Sequence, residues 1–124
     1  MVQYAAVLYA LISLGVILFQ VGLIAGLPWG HLTQGGRFEG ALPTSGRIAA
    51  GCSIVLLACM AYSVVSLANL VPPWPLWTAW ITCALQVVSM LVNWITPSRP
   101  ERLVWGPITT LMCVLMLVVF LDSR

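Results

Sequence analysis

Hydrophobic residues run through this chain in four long blocks, at positions 4–26, 48–70, 76–95 and 103–121. Each block has the length of a membrane-crossing helix, because about 20 residues at about 1.5 Å of rise cover a hydrocarbon core roughly 30 Å thick. The polar residues fall almost entirely in the three connections. Positions 27–47 form one long polar loop that holds His31, Arg37, Glu39 and Arg47. Residues 71–75, Val-Pro-Pro-Trp-Pro, form a short stiff hairpin that cannot continue a helix. Residues 96–102 join the third block to the fourth and carry Arg99, Glu101 and Arg102. The pattern predicts an all-α integral membrane protein of one domain, residues 1–124, with four transmembrane helices in an up-down bundle.

Within the blocks, the polar residues repeat at helical spacing. Tyr9, Ser13, Val16 and Gln20 recur at i, i+4, i+7 and i+11, and Thr82, Gln86, Ser89 and Asn93 repeat that spacing 73 residues later. Arg47 with Gly51 likewise matches Arg102 with Gly106. These matches raise the expectation of two parallel helical-hairpin repeats about an axis along the membrane normal. Thr82, Gln86, Ser89 and Asn93 share one helix face, which should point inward because lipid cannot satisfy an amide. That face either bonds helices together or lines a cavity for a small polar or amphipathic ligand, with Gln20 as its natural partner in both cases. Gly22 and Gly26 form a GxxxG pair, the usual mark of close helix packing. Thr44 or Ser45 is available as an N-cap for the second helix.

Composition excludes a soluble alternative. The chain is 61% hydrophobic and 6% charged, against roughly 25% charged in an average soluble protein. A soluble helical bundle could not build a polar outer face from so few charges. The net charge of +2 comes without a single lysine and without a basic run, which excludes nucleic acid as a partner. Cys52, Cys59, Cys83 and Cys113 all lie in apolar blocks, form no CxxC pair and have no nearby histidine. No metal site, redox motif or cofactor is expected. The first block lacks the basic region and short apolar core of a cleavable signal, so it counts as a span.

Charge placement orients the bundle. Arg37, Arg47, Arg99 and Arg102 lie in the two connections on one side, and only Arg124 lies on the other. The excess of basic residues places loops 1–2 and 3–4 in the cytoplasm and both termini outside. Trp29, Trp94 and Trp105 fall at one interface and Trp74 and Trp77 at the other, as indole rings favour the headgroup level. His31, Arg37, Glu39, Arg47, Arg99, Glu101 and Arg102 are expected to form one polar cap at the cytoplasmic ends of the helices, where membrane lipids are in reach. No Asp, Glu, Lys, Arg or His falls within any of the four blocks. That leaves no proton relay in mid-membrane and no acid, base or metal ligand for chemistry there.

One resemblance adds to this. Pro28-Trp29-Gly30-His31, Gly35-Gly36-Arg37, Leu42-Pro43, Arg47, Asn93, Thr96-Pro97-Ser98-Arg99, Glu101-Arg102 and Trp105-Gly106-Pro107 together resemble an uncharacterised family of small bacterial four-span integral membrane proteins. The resemblance covers most of the chain and implies a place in the bacterial inner membrane; it implies no activity. The residues favour a non-enzymatic role, as an accessory subunit or a binder of lipid or another small hydrophobic ligand. The partners would be membrane lipids, another membrane protein or a second copy of the chain. A small channel or transporter acting as a homodimer is the alternative, and a lipid-headgroup enzyme at the cytoplasmic face, using His31, Glu39 and the arginines, is the third. The orientation is directly testable. With the four native cysteines replaced, a membrane-impermeant thiol reagent applied from outside should label Ser123→Cys and not Ser98→Cys, and the opposite labelling would reverse the topology.

Overall fold

The computed structural model describes residues 2–38 and 40–122. Four long helices follow one another, α1 (Val2–Ile24), α2 (Thr44–Leu67), α3 (Leu76–Ile95) and α4 (Arg99–Asp122), and no strand occurs among the described residues. Each is long and apolar enough to cross a membrane. Large apolar side chains such as Leu11, Leu18, Val55, Leu91 and Val114 remain exposed along the outer faces, where a lipid solvent is their natural environment. The helices alternate in direction as an up-down bundle, in which α1 packs along α2 and α4, and α4 packs along α3. The fourth side of the bundle, between α2 and α3, has the sparsest packing of the four.

Local chemistry fixes the helix ends. Gly26 takes a left-handed conformation at φ 97°, the Gly26 N–H bonds to the Leu23 carbonyl and the Leu27 N–H reaches back to Gly22. This is a Schellman stop. The same pair of bonds closes α2, with Asn69 at φ 62° in the left-handed position. At the start of α2, Pro43 occupies the cap position and no side chain caps the helix, so neither Thr44 nor Ser45 plays the part expected of it. The GxxxG pair also has another explanation here. Gly26 is the helix stop, and a Cβ on Gly22 would collide with the Trp29 ring folded back from the loop.

The fourth helix begins at Arg99, four residues before the hydropathy boundary at 103. Ser98 is the cause. Its hydroxyl accepts the Glu101 N–H at 3.4 Å, as the cap of a Ser-x-x-Glu sequence should. Pro107 sits inside α4 and leaves the Leu103 carbonyl without its helical donor. Thr109 and Thr110 answer the neighbouring carbonyls from within the same helix, Thr109 to Trp105 at 2.6 Å and Thr110 to Gly106 at 2.8 Å.

The main core gathers Ala6 and Tyr9 of α1, Val64 of α2, Ala79 of α3, and Met112, Met116, Val119 and Phe120 of α4. It fills the half of the bundle nearest the proline hairpin. Through it runs one chain of buried hydrogen bonds: the Tyr9 hydroxyl donates to Gln86 Oε1 at 2.7 Å, and Gln86 Nε2 donates to the Thr109 carbonyl at 3.2 Å. Three helices are thereby joined at one side chain. The partner of Gln86 on α1 is therefore Tyr9 and not Gln20. Ser13 Oγ, also buried, has no hydrogen-bond partner among the described residues.

Replacing Gln86 by leucine strands the Tyr9 hydroxyl in an apolar core. Measured contacts of this kind in membrane bundles average about 0.6 kcal/mol, and a stranded donor adds its own penalty. Gln86→Leu should cost about 1–2 kcal/mol in reversible unfolding from mixed micelles. Tyr9→Phe combined with Gln86→Leu should cost less than the two single changes added together. Strict additivity would show that the Tyr9–Gln86 bond itself contributes nothing to stability.

Candidate functional site

Beyond Gln86, towards the loop end, α2 and α3 leave a cleft between them. The bonds that join these two helices and their hairpin all lie at the other end. Ser63 and Thr78 share a hydrogen bond, the Trp74 N–H donates to Ser66 Oγ, and the Tyr62 ring packs on Trp74. The cleft has a volume of about 350 Å³. Ser53, Leu56, Leu57 and Met60 of α2 form one wall, and Leu85, Val88, Ser89, Val92 and Asn93 of α3 form the other. Behind them stand Val16, Phe19 and Gln20 of α1, with Glu101, Trp105, Thr109 and Met112 of α4. Leu56, Val88 and Val92 are about half exposed, so the mouth lies between α2 and α3 and faces sideways out of the bundle with apolar lips.

Four of the five residues expected on a cavity meet here: Gln20, Gln86, Ser89 and Asn93. Thr82 does not. It sits one turn towards the hairpin, where the bundle is closed, and its hydroxyl bonds to the Thr78 carbonyl of its own helix at 2.8 Å. Gln86 has both ends of its amide engaged by Tyr9 and Thr109. Asn93 donates to the Ser89 carbonyl at 2.7 Å. Gln20 is half-buried on the α1 wall.

The loop closes the top of the cleft, with Leu32 and Thr33 in its lining. Two short 3-10 turns, Gly30–Leu32 and Gln34–Gly36, give the loop its shape. It crosses itself at Gly30, whose N–H bonds to the Gly40 carbonyl and where a Cβ would lie 2.6 Å from the Phe38 oxygen. Leu42 is buried beneath it against Leu23 and Ala50, with Phe19, Trp29 and Phe38 packed around them. Trp29 stacks on Phe19 at 5.4 Å, and Trp105 meets Phe19 edge-on at 4.8 Å while its indole N–H donates to the Leu32 carbonyl at 2.7 Å. These two tryptophans thus face the loop's own small core. Trp94 remains about half exposed, lies over Gly106 and donates to Thr110 at 2.7 Å.

The expected polar cap is assembled through the backbone. The Ser98 hydroxyl donates to the His31 carbonyl at 3.0 Å, and the Gly35 N–H donates to Glu101 Oε2 at 2.9 Å. Gly36 lies so close to Ser98 that a Cβ would come within 2.8 Å of it. The loop and the 96–102 connection are therefore in contact, but among the described residues no arginine pairs with a carboxylate. Arg47 donates to the Leu42 carbonyl, Arg102 donates to the Thr96 carbonyl, and Arg37 lies over the Phe38 ring. His31 and Arg99 have exposed side chains. Glu39 lies outside the described residues.

Glu101 departs furthest from expectation. It is 5% exposed and stands in the cleft wall inside the first turn of α4. A carboxylate is therefore present within a membrane-length helix, where the hydropathy blocks contained none. Ser98 and its capping bond carry it there, and the Ser-Arg-Pro-Glu sequence was the signal. No group of three or more His, Cys, Asp or Glu that could hold a metal occurs among the described residues.

No protein-family model, no curated protein and no solved structure matches this chain. Its class rests on its own architecture: four membrane-length apolar helices make it a small polytopic integral membrane protein.

Ser98 holds two structures at once, the first turn of α4 and the loop above the cleft. Ser98→Ala removes both bonds. Loss of an N-cap costs about 0.5–2 kcal/mol. Hydrogen exchange should accelerate in residues 30–38 and in the first turn of α4, and stay unchanged in the middle of α1 and α3. Acceleration confined to α4 would mean that the Ser98–His31 bond does not hold the loop.

Proposed function

We propose that the protein is a non-enzymatic binder of a lipid or another small hydrophobic molecule, which enters the cleft sideways from the bilayer. The observation that carries this reading is the form of the cleft. Its lips are apolar and open between two helices that would be surrounded by lipid, while Gln20, Ser89 and Asn93 offer hydrogen bonds from its walls. Binding sites for small molecules commonly combine apolar walls with a few polar groups, at volumes of about 300–1,000 Å³. At about 350 Å³ the cleft suits one short chain and its headgroup and is too small for a whole phospholipid.

The reading also places the loop end, with Arg37, Arg47, Arg99 and Arg102, at the cytoplasmic face of a bacterial inner membrane. Support for that placement is the arginine asymmetry and the family resemblance. The polar groups of the cleft would then lie in the cytoplasmic half of the bilayer, one helix turn or more from its centre.

Filling the cleft tests the proposal. Ser89 lines the space, so Ser89→Trp should occupy it with little change in thermal stability. Native mass spectrometry from maltoside micelles should show a retained small amphiphile on the original protein and its loss from the variant. Equal retention by both, or none by the original protein, would overturn the reading.

A further inference from the structure

A carboxylate in the wall of an apolar cleft is costly unless something answers its charge. Glu101 accepts one hydrogen bond, from the Gly35 N–H to Oε2. The positive end of the α4 dipole lies nearby, and both work against the burial that penalises the charged form. Neither supplies a full counter-charge. A carboxylate has room for about four such bonds, and Gly35 is the one donor to the Glu101 side chain among the described residues. No arginine or histidine is among the residues lining the cleft. The nearest in sequence, Arg102, directs its guanidinium to the Thr96 carbonyl instead.

Two aromatic rings line the same space. Trp105 lies one helical turn from Glu101 on α4, and Phe19 of α1 packs against it at 4.8 Å. The indole N–H is held by the Leu32 carbonyl, which fixes the ring and leaves it no hydrogen bond to offer a ligand. Aromatic faces attract alkylated ammonium groups through the ring quadrupole, more strongly where water is excluded. A buried carboxylate, two fixed aromatic rings and an apolar exit form a set that recognises positive charge on carbon-rich molecules.

We propose that the cleft selects an amphipathic organic cation, with an alkylated ammonium head at Glu101 against Phe19 and Trp105, and a short apolar tail leaving between α2 and α3. This rests on the reading of the cleft as a site for a small amphiphile and names the class of that amphiphile. The negative wall refuses anions, so the site would discriminate by charge among molecules with the same tail.

Three octyl compounds test it: octyltrimethylammonium, uncharged octyl glucoside and octanesulfonate, each titrated calorimetrically into the purified protein in maltoside micelles with a micelle blank subtracted. The cation should bind about tenfold or more tightly than the sulfonate, with the glucoside between them. Glu101→Gln keeps an oxygen for the Gly35 N–H, and should bring the cation and the glucoside to similar affinity. The ranking on the original protein is decisive even if that variant fails to fold. Equal binding of all three, a preference for the sulfonate, or a cation preference that survives in Glu101→Gln would overturn the assignment of charge selectivity while leaving the binder reading in place. Failure of all three to bind would overturn both.

Discussion

An amide in the middle of a membrane bundle must find its partners within the protein, because lipid has none to give. Gln86 finds them on two other helices, taking the Tyr9 hydroxyl and giving its own N–H to Thr109. That requirement draws α1, α3 and α4 together around one point. The second helix has no part in this network. It is held to its neighbours by the core at the hairpin end, by Ser63 and Ser66, and by the contact of Ala50 with Leu23 and Leu42 at the loop end. The weak side of the bundle follows from this division. Where no buried polar bond ties α2 to α3, the two helices leave a cleft.

The long loop completes the enclosure. Trp29, Phe38 and Leu42 of the loop turn inward and pack with Leu23 and Phe19 to make a second small core. Such a loop is held by packing and by backbone hydrogen bonds more than by charge. Exposed ion pairs would contribute only about 0–1 kcal/mol, and the hydrogen bonds observed to α4 and its cap are Ser98 with the His31 carbonyl, the Gly35 N–H with Glu101, and the Trp105 indole with the Leu32 carbonyl. With Leu32 and Thr33 over its end, the cleft opens sideways between the helices.

Hydropathy made the four helices legible: all four blocks end within three residues of the helices observed, and those of α2 and α4 start four residues late. The start of α4 was misplaced because Arg99, Pro100, Glu101 and Arg102 read as a polar connector, although Ser98 to Glu101 carries a capping signal that outweighs the charge count. The inward face of α3 was legible from its 3.6-residue period. Its partners were not, since the choice of Tyr9 over Gln20 depends on how far α1 is shifted along α3, and periodicity is blind to shifts between helices. Trp29 and Trp105 lie near the ends of hydropathy blocks, yet position along the chain does not say whether a ring turns out to lipid or in to Phe19. The burial of Glu101 was hidden for a related reason. Nothing in the local sequence shows that a loop some 66 residues earlier will fold down over it.

The polar stripe of α3 divides in function at Gln86. On the hairpin side, Thr82 is buried in closed packing. Gln86 itself is tied to two other helices. Past it, Ser89 and Asn93 face the cleft, and Asn93 donates within its own helix. Packing does not need these two as it needs Gln86. The same holds for Glu101, whose single bond to Gly35 could be accepted as well by a neutral amide, without the cost of bringing a charge into the helix bundle. Groups that the fold requires are distinguished by partners on other helices, and those that it merely tolerates are gathered on one cleft. That separation, more than the presence of polar residues in the membrane, is what supports the proposal of a ligand site in the loop-end half of the bundle.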